Sequence, residues 1–199
     1  MEVFYHGTCC LFETFDPSKL GSGEGKSKFG HGIYITPSYE TAALYASKAA
    51  KNNGVDTVYV YTIEVPKLTE ENHIVSCNPV NPKVAAIVEA ALGEAIPSEA
   101  KEAGKFFRKY VGNVLIKNRR TLKQMIGKAS HEAEDKVSEF LRQNGFTYLA
   151  WPQNQKKPDG ETNRAVLNPG DIKILKIEQV RTDDKNHLIP GSQNLVKEF

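Results

Sequence analysis

Cysteine is scarce in this sequence, and the marks of several special protein classes are missing. The 199 residues include three cysteines, two of them adjacent at Cys9 and Cys10, which does not suit a disulfide-stabilised fold. No apolar run approaches the roughly 18 residues of a membrane span, and the N-terminus lacks the basic and apolar segments of a signal peptide. The net charge of +2 is too small for strong non-specific binding to nucleic acid or anionic membrane. We therefore expect a soluble globular protein.

The order of the elements predicts an α+β domain with a helical insertion. Short strand patterns dominate both ends of the chain, whereas apolar residues recur at helical spacing over about 83–144. We predict three or four helices there, with breaks or kinks at Pro97 and at Gly112–Asn113. The prediction is a single domain over 1–181, interrupted by this insertion and followed by a polar, poorly ordered tail at 182–199.

Residues 29–46, F-G-H-G-I-Y-I-T-P-S-Y-E-T-A-A-L-Y-A, form the most informative stretch. Gly30 and Gly32 allow backbone to turn tightly or to approach a ligand, and a β-branched and aromatic strand follows. Ser38 is placed to cap a helix over 38–52. A strand followed by a helix could bring the rings of Tyr34 and Tyr45 to face each other about 7 Å apart, which makes a slot for a flat aromatic ligand.

The N-terminal segment offers a second polar ligand site. A short strand ends at His6-Gly7-Thr8, where an imidazole and backbone amides are available to a ligand. Phe12 and Phe15 anchor the extended segment that follows. The glycine-rich stretch 19–28 lacks the helix that a phosphate-binding loop requires, and we interpret it as flexible cover over a site.

Three segments, taken in order, resemble the ADP-ribosyltransferase superfamily in its diphtheria-toxin and poly-ADP-ribose-polymerase (H-Y-E) branch. They are Y-H-G-T at 5–8, the stretch at 29–46, and N-R-A-V-L-N-P-G-D-I-K-I at 163–174. The glycine loop and the last segment look most like the bacterial transferases of phage and mobile-element polyvalent proteins. The resemblance covers roughly 2–66 and 140–178, and it implies a split β-sheet core.

The resemblance implies roles for individual residues. His6 would bind a ribose hydroxyl of NAD, while the Gly7 backbone, supported by Thr8, would pair with the nicotinamide carboxamide. Tyr34 and Tyr45 would sandwich the nicotinamide ring, and Gly32 would allow close approach of the backbone. NAD is the co-substrate. No metal is expected, because nicotinamide is already a good leaving group and an aligned protein field is the main catalytic device.

The catalytic carboxylate is where the sequence departs from the family. Asn163 occupies the position of the family's glutamate, and an amide cannot supply negative charge. Glu161 lies two residues earlier and, by strand alternation, on the same face. We predict Glu161 as the catalytic carboxylate with Asn163 assisting, and Glu24 as the alternative. Thr41, where polymerases have lysine, and Asn163 both favour mono-ADP-ribosylation over chain elongation.

The sequence gives little information on which molecule accepts the ADP-ribose. The superfamily's target-choosing loop corresponds to 151–162 here, and we expect a macromolecular acceptor, preferentially a protein in a host or rival cell, for a bacterial toxin-like effector. Three alternatives stay open: an NAD glycohydrolase, a non-catalytic NAD-binding module, and a nucleic-acid binder or modifier, which the near-neutral charge disfavours. We expect synthesis in a bacterial cytoplasm, with export left open.

Overall fold

The fold is mixed α+β, with two four-stranded sheets and six α-helices in the part of the chain that a computed structural model describes. The described residues are 1–19, 29–154 and 160–199. They form two compact units. The first consists of Met1–Lys19, Tyr34–Lys67 and Pro169–Phe199, and the second of the described parts of Leu20–Ile33 and Leu68–Asn168. The α+β class predicted from the sequence is confirmed.

The strands of the described chain are numbered in chain order. They are β1 (Glu2–Thr8), β2 (Ile33–Ile35), β3 (Val58–Val65), β4 (His73–Val75), β5 (Tyr148–Pro152), β6 (Thr162–Val166), β7 (Lys173–Val180) and β8 (Asn194–Glu198). The helices are α1 (Tyr39–Asn52), α2 (Pro82–Leu92), α3 (Ser98–Lys101), α4 (Gly104–Leu115), α5 (Leu122–Gly127) and α6 (His131–Gln143).

The first unit is an antiparallel sheet with the order β1-β3-β7-β8, on which helix α1 packs. In the centre of the sheet, β3 buries Val58 and Val60 and then Tyr61, Ile63 and Val65, so the period-two pattern predicted from the sequence holds in each half of the strand but shifts by one residue between Val60 and Tyr61. The buried face of α1 is built from small residues, which lets the helix lie close to the strands. The apolar cluster between them consists of Ala42, Ala43, Ala46, Ala50, Val58, Val60 and Val180.

The start of α1 confirms the cap predicted from the sequence. The Ser38 hydroxyl accepts a hydrogen bond from the backbone N–H of Thr41 at 3.1 Å, and Ser38 itself has extended backbone. This bond satisfies one of the donors that the first helical turn leaves free. Helix α1 begins at Tyr39, directly after Ser38, and therefore follows closely on the end of β2 at Ile35.

The smaller sheet has the order β2-β6-β5-β4, and its strands β4, β5 and β6 belong to the second unit together with helices α2 to α6. Strand β4 pairs with β5 in parallel, and β5 pairs with β6 antiparallel, with Trp151 opposite Asn163. Five helices lie between Pro82 and Gln143, rather than the three or four expected. Whether this helical segment is an insertion into a split sheet stays a prediction.

Gly112 and Asn113 do not break a helix, and that part of the prediction is wrong. Both residues are buried inside α4. Gly112 is needed because helix α6 crosses α4 there: a β-carbon at Gly112 would lie 2.5 Å from the carbonyl oxygen of Ala133. The glycine therefore reflects a close helix crossing and not a kink. Pro97, by contrast, does mark a boundary, since α3 starts directly after it.

The C-terminal segment is also more ordered than expected. Residues of β8 pair with β7, with Lys176 opposite Glu198, so the expectation of a poorly ordered tail over 182–199 is wrong. A prediction of disorder from polar composition misses such edge strands, because an edge strand needs few apolar residues.

The structure does not describe the glycine-rich stretch at 20–28, which includes Glu24, or the loop residues 155–159. Among the residues that the model describes, no helix is both long and apolar enough to cross a membrane.

Candidate functional site

Two of the segments singled out in the sequence meet in the first unit through backbone contacts. Tyr5 and Thr36 exchange N–H to carbonyl hydrogen bonds of 2.8 and 3.0 Å. Beside this bridge, Nδ1 of His6 lies 2.8 Å from the carbonyl oxygen of Tyr34. The Y-H-G-T strand and the strand that carries Tyr34 are thus joined at the two residues predicted to bind a ligand.

The contact with Tyr34 fixes the tautomer of His6. A carbonyl oxygen only accepts hydrogen bonds, so Nδ1 must carry the proton and Nε2 must carry the lone pair. Burial lowers the pKa of His6 below the ordinary 6.5, and the bond to the Tyr34 carbonyl offsets only part of that effect. His6 is therefore neutral at physiological pH, and its Nε2 is suited to accept a hydrogen bond from a hydroxyl group.

Aromatic rings surround the imidazole of His6. Phe15 meets it edge-on at 5.2 Å between ring centroids, and Phe12 and Tyr61 lie 6.3 and 6.2 Å away. The prediction that Phe12 and Phe15 anchor the segment after β1 is confirmed, since Phe12 also stacks on Tyr61 at 4.6 Å. These rings account for the desolvation that keeps the imidazole neutral.

Tyr61 is a residue that the sequence analysis missed. Its side chain is fully buried, and its hydroxyl accepts from the N–H of Phe12 at 2.7 Å and lies 3.0 Å from the carbonyl oxygen of the same residue. Burial raises the pKa of Tyr61 to about 12, so the hydroxyl keeps its proton and can donate. The alternating tyrosines of β3 were visible in the sequence, but alternation does not show which chain segment a tyrosine hydroxyl will hydrogen-bond.

Gly7 and Thr8 have identifiable local roles. A β-carbon on Gly7 would lie 1.9 Å from the carbonyl oxygen of Ala42, so the close approach of α1 to β1 admits only glycine. The Thr8 hydroxyl accepts from the N–H of Cys10 at 3.1 Å and stabilises the turn that leaves the strand. Neither contact tests the carboxamide pairing that the resemblance assigns to this pair of residues.

Tyr34 and Tyr45 both retain accessible surface. Tyr34 is half-buried, whereas Tyr45 projects from α1 with 57% of its surface exposed and with the Lys48 ammonium 5.8 Å from the centroid of its ring. An exposed tyrosine on an otherwise alanine-rich helix contributes nothing to the core that its neighbours form. The aromatic slot between the two rings stays a prediction.

In the second unit, glycines bring the F-G-H-G segment against the sheet. Gly30 has a positive φ of 98°, which favours glycine, and a β-carbon there would lie 2.2 Å from Leu149. A β-carbon on Gly32 would lie 2.7 Å from the carbonyl oxygen of Val166. Phe29, at the start of the segment, stacks on Trp151 with ring centroids 4.2 Å apart. Gly32 is thus explained by packing, and a role toward a ligand is untested.

Asn163 and Glu161 differ sharply in burial. Asn163 is 7% exposed, and its Oδ1 has no hydrogen-bond partner among the residues that the structure describes. Glu161 is exposed and precedes β6, where its carbonyl oxygen accepts from the N–H of Gln153 at 2.9 Å. Asn163, which the resemblance aligns with the family's glutamate, is therefore a buried acceptor in need of a donor, and Glu161, the candidate carboxylate, is exposed just before β6.

Comparison with known families tests the resemblance that the three sequence segments indicated. A family model described as ADP-ribosyltransferase in polyvalent proteins matches residues 1–180. The chain belongs to this family. Searches of curated proteins and of solved structures gave no match. The resemblance inferred from the three sequence segments is thereby confirmed.

Membership of this transferase family establishes the general activity. Its members transfer ADP-ribose, which is a glycosyltransferase-type reaction, and the family uses NAD as substrate. The matched range contains every residue predicted for the site, from His6 to Asn163. Because the match identifies no individual residue as catalytic, the roles of these residues remain predictions.

Proposed function

We propose that the protein is an NAD-dependent mono-ADP-ribosyltransferase that moves ADP-ribose from NAD to a macromolecular acceptor and releases nicotinamide. The observation that carries this proposal is the 2.8 Å contact between His6 Nδ1 and the Tyr34 carbonyl oxygen. It leaves the lone pair of His6 on Nε2, where it can accept a hydrogen bond from a ribose hydroxyl of NAD. Family membership over residues 1–180 supports the same reaction class.

Nicotinamide recognition is assigned to the rings and backbone of the first unit. Tyr34 and Tyr45 would stack on the two faces of the pyridinium ring, which is cationic in NAD and is attracted to tyrosine faces. The Gly7 backbone would pair with the carboxamide, and Thr8 would hold the turn in place through its bond to Cys10. Gly32 would keep backbone close to the ligand.

The reaction replaces one bond at the ribose anomeric carbon by another. The bond between that carbon and the nicotinamide nitrogen breaks, and nicotinamide leaves with the electron pair. The remaining oxocarbenium-like centre takes an electron pair from the acceptor, which gives up a proton. A carboxylate stabilises this cationic centre electrostatically. We assign that role to Glu161, whose exposed side chain precedes β6.

Asn163 has a supporting role in this scheme. Leaving a buried acceptor without a donor costs about 1–3 kcal/mol, and such groups in a native protein call for an explanation. A hydroxyl group of bound NAD would supply the missing donor to Asn163 Oδ1. An amide can orient a hydroxyl but cannot polarise a second sugar hydroxyl as a carboxylate would, which supports transfer of one ADP-ribose rather than chain growth.

We propose a protein as the acceptor. The small net charge of +2 disfavours a nucleic acid as the primary target, since binding to phosphate depends on clustered positive charge. We further propose a bacterial effector or toxin role, which rests on the resemblance of the sequence segments and not on the family description. The loop around residues 151–162 would contribute to acceptor choice.

The test is labelling with isotopically marked NAD in a whole-cell lysate. Wild type is compared with Glu161→Ala, Asn163→Ala and, as a matched control, Glu102→Ala, which removes another exposed glutamate. The expected result is a labelled protein band that only Glu161→Ala abolishes, with a reduced band in Asn163→Ala. Loss of the band in Asn163→Ala alone would refute Glu161 as the carboxylate and direct attention to Glu24.

A second candidate function is a non-catalytic NAD-binding module. The observation that favours it is Asn163, an amide where the family's pattern has a carboxylate. This alternative predicts that NAD raises the melting temperature of the protein but that no nicotinamide is released. Nicotinamide release without any labelled protein would instead identify an NAD glycohydrolase, in which water replaces the acceptor.

A further inference from the structure

We infer that His31, His131 and Asp135 form a binding site for a divalent cation of the zinc class. His31 is the central residue of the F-G-H-G segment, and the other two lie on the first turn and a half of α6. One donor atom from each side chain lies within 4.8 Å of the other two. All three residues belong to the second unit, and the proposed NAD chemistry uses none of them.

The carboxylate of Asp135 lies between the two imidazoles. Its Oδ1 is 2.7 Å from Nδ1 of His31 and 3.8 Å from Nδ1 of His131. The two rings stand edge to face with their centroids 5.2 Å apart. Donor atoms bound to one tetrahedral zinc ion lie about 3.3 Å apart, given metal–ligand bonds of about 2.0–2.1 Å. The observed separations fall on both sides of that value.

The backbone around the cluster is fixed in advance. The N–H of His31 donates to the Ser138 hydroxyl at 3.0 Å, and that hydroxyl donates to the Glu134 carbonyl at 2.8 Å. Ser130 caps α6 by accepting from the N–H of Ala133 at 3.1 Å. His131 and Asp135 are four residues apart on this capped helix and so share one face. Ligation would require the His131 ring, whose side chain is 72% exposed, to move closer to Asp135, and the Asp135 carboxylate to move slightly away from His31.

The donor set indicates which cations fit. Two imidazoles and one carboxylate suit zinc, cobalt, nickel or copper, whereas magnesium and calcium prefer oxygen donors alone. Three protein ligands leave a position for water. The side chain of His31 is 15% exposed and that of Asp135 is 49% exposed, so an ion could enter from solvent. A bound ion would fasten the F-G-H-G segment to α6.

This role is separate from the transfer reaction, for which no metal is expected. The chemistry at the ribose needs no Lewis acid, because nicotinamide leaves readily. The proposed ion would act on structure, by cross-linking two chain segments that are about 100 residues apart in the sequence. It would therefore bind whether or not the protein turns over NAD.

The test is a metal titration of tag-free, chelator-treated protein. Cobalt is added to the full chain and its visible ligand-field absorption is followed, and zinc affinity is then measured by competition with a chromophoric chelator. Wild type should bind one equivalent with the intense spectrum of a four-coordinate ion. His131→Ala should bind at least about 10–100-fold more weakly, and circular dichroism should show it folded, since His131 is exposed.

His187→Ala is the matched control. His187 lies 3.4 Å from Asp183 at the same four-residue spacing, but among the described residues no third donor completes a cluster there. This variant should titrate like wild type. Asp135→Asn, which keeps the size of the side chain but not its charge, should lose affinity as His131→Ala does. Failure of wild type to bind cobalt or zinc, or equal affinity in wild type and His131→Ala, would overturn the inference.

Discussion

The clearest structural test concerns Gly7, where the strand of the candidate site meets helix α1. In Gly7→Ala the new β-carbon would lie 1.9 Å from the Ala42 carbonyl oxygen and 2.6 Å from the Ala42 carbonyl carbon. Contacts below 3.0 Å are essentially never seen, so α1 or β1 would have to retreat by about 1 Å. Both partners are main chain, and no side-chain rotation can relieve the clash.

The magnitude follows from the size of that shift. Overpacking in a protein interior costs typically about 1–3 kcal/mol, and a clash between main-chain atoms belongs at the upper end. Moving α1 also loosens the alanine face of Ala42, Ala43 and Ala46, all of which are fully buried or nearly so. We expect the free energy of unfolding to fall by about 3 kcal/mol and the melting temperature by about 6–12 °C.

Urea unfolding followed by circular dichroism measures this effect, with thermal unfolding as a second readout. Gly127→Ala is the control, because nothing lies within 4 Å of a β-carbon at that position and its φ is not positive. Its unfolding free energy should stay within about 0.5 kcal/mol of wild type or rise slightly. If Gly7→Ala matched the control, α1 could not approach β1 as closely as the structure indicates.

Two further predictions concern ionisable groups. The pKa of His6 is lowered from 6.5 in the folded protein, so the unfolded chain binds a proton at this residue more readily than the folded protein does. The free energy of unfolding should therefore fall as the pH drops from about 6.5 toward the lowered folded pKa, and it should fall less in His6→Phe. Urea unfolding near pH 5.5 and near pH 7.5 measures this difference. Glu134→Ala should cost about 3–5 kcal/mol in urea unfolding, because it removes one partner of a buried ion pair, the carboxylate that lies 2.6 Å from the guanidinium of Arg108. Glu139→Ala, which removes the exposed partner of Arg142, should cost about 0–1 kcal/mol; equal losses in the two variants would refute this reasoning.

Sequence patterns correctly predicted the secondary-structure elements that depend on residues close together in the chain. The cap at Ser38, the helix that follows and the short strand before it all depend on residues within a few positions of one another. The central strand was recognisable from its alternation, although the buried positions shift by one residue between Val60 and Tyr61, which the sequence pattern did not indicate. The same local rules failed at Gly112, where the requirement for glycine comes from another helix.

Long-range contacts account for what sequence could not predict. The bond from His6 to the Tyr34 carbonyl joins residues 28 positions apart, and Tyr61 holds Phe12 across 49 positions. Nothing in the neighbourhood of either residue specifies its partner. His31 is a further example, since its nearest acidic neighbour in space, Asp135, is on a helix about 100 residues away. The resemblance to a family supplied part of this information, because a family pattern records spatial partners that periodicity does not.

The choice of Glu161 as the catalytic carboxylate shows that alternation predicts the facing of side chains only within a strand. Period two places Glu161 and Asn163 on one face, yet only Asn163 is buried. The physical reason is the length of β6, which starts at Thr162: Asn163 is paired with Trp151 inside the sheet, whereas Glu161 precedes the strand. Glu161 keeps one backbone hydrogen bond, from Gln153, beyond the last strand pair, and its exposed side chain can turn toward a ligand or toward solvent. A glutamate at that position therefore gains a catalytic role only if a bound ligand or acceptor fixes it, whereas the buried amide two residues later is fixed already.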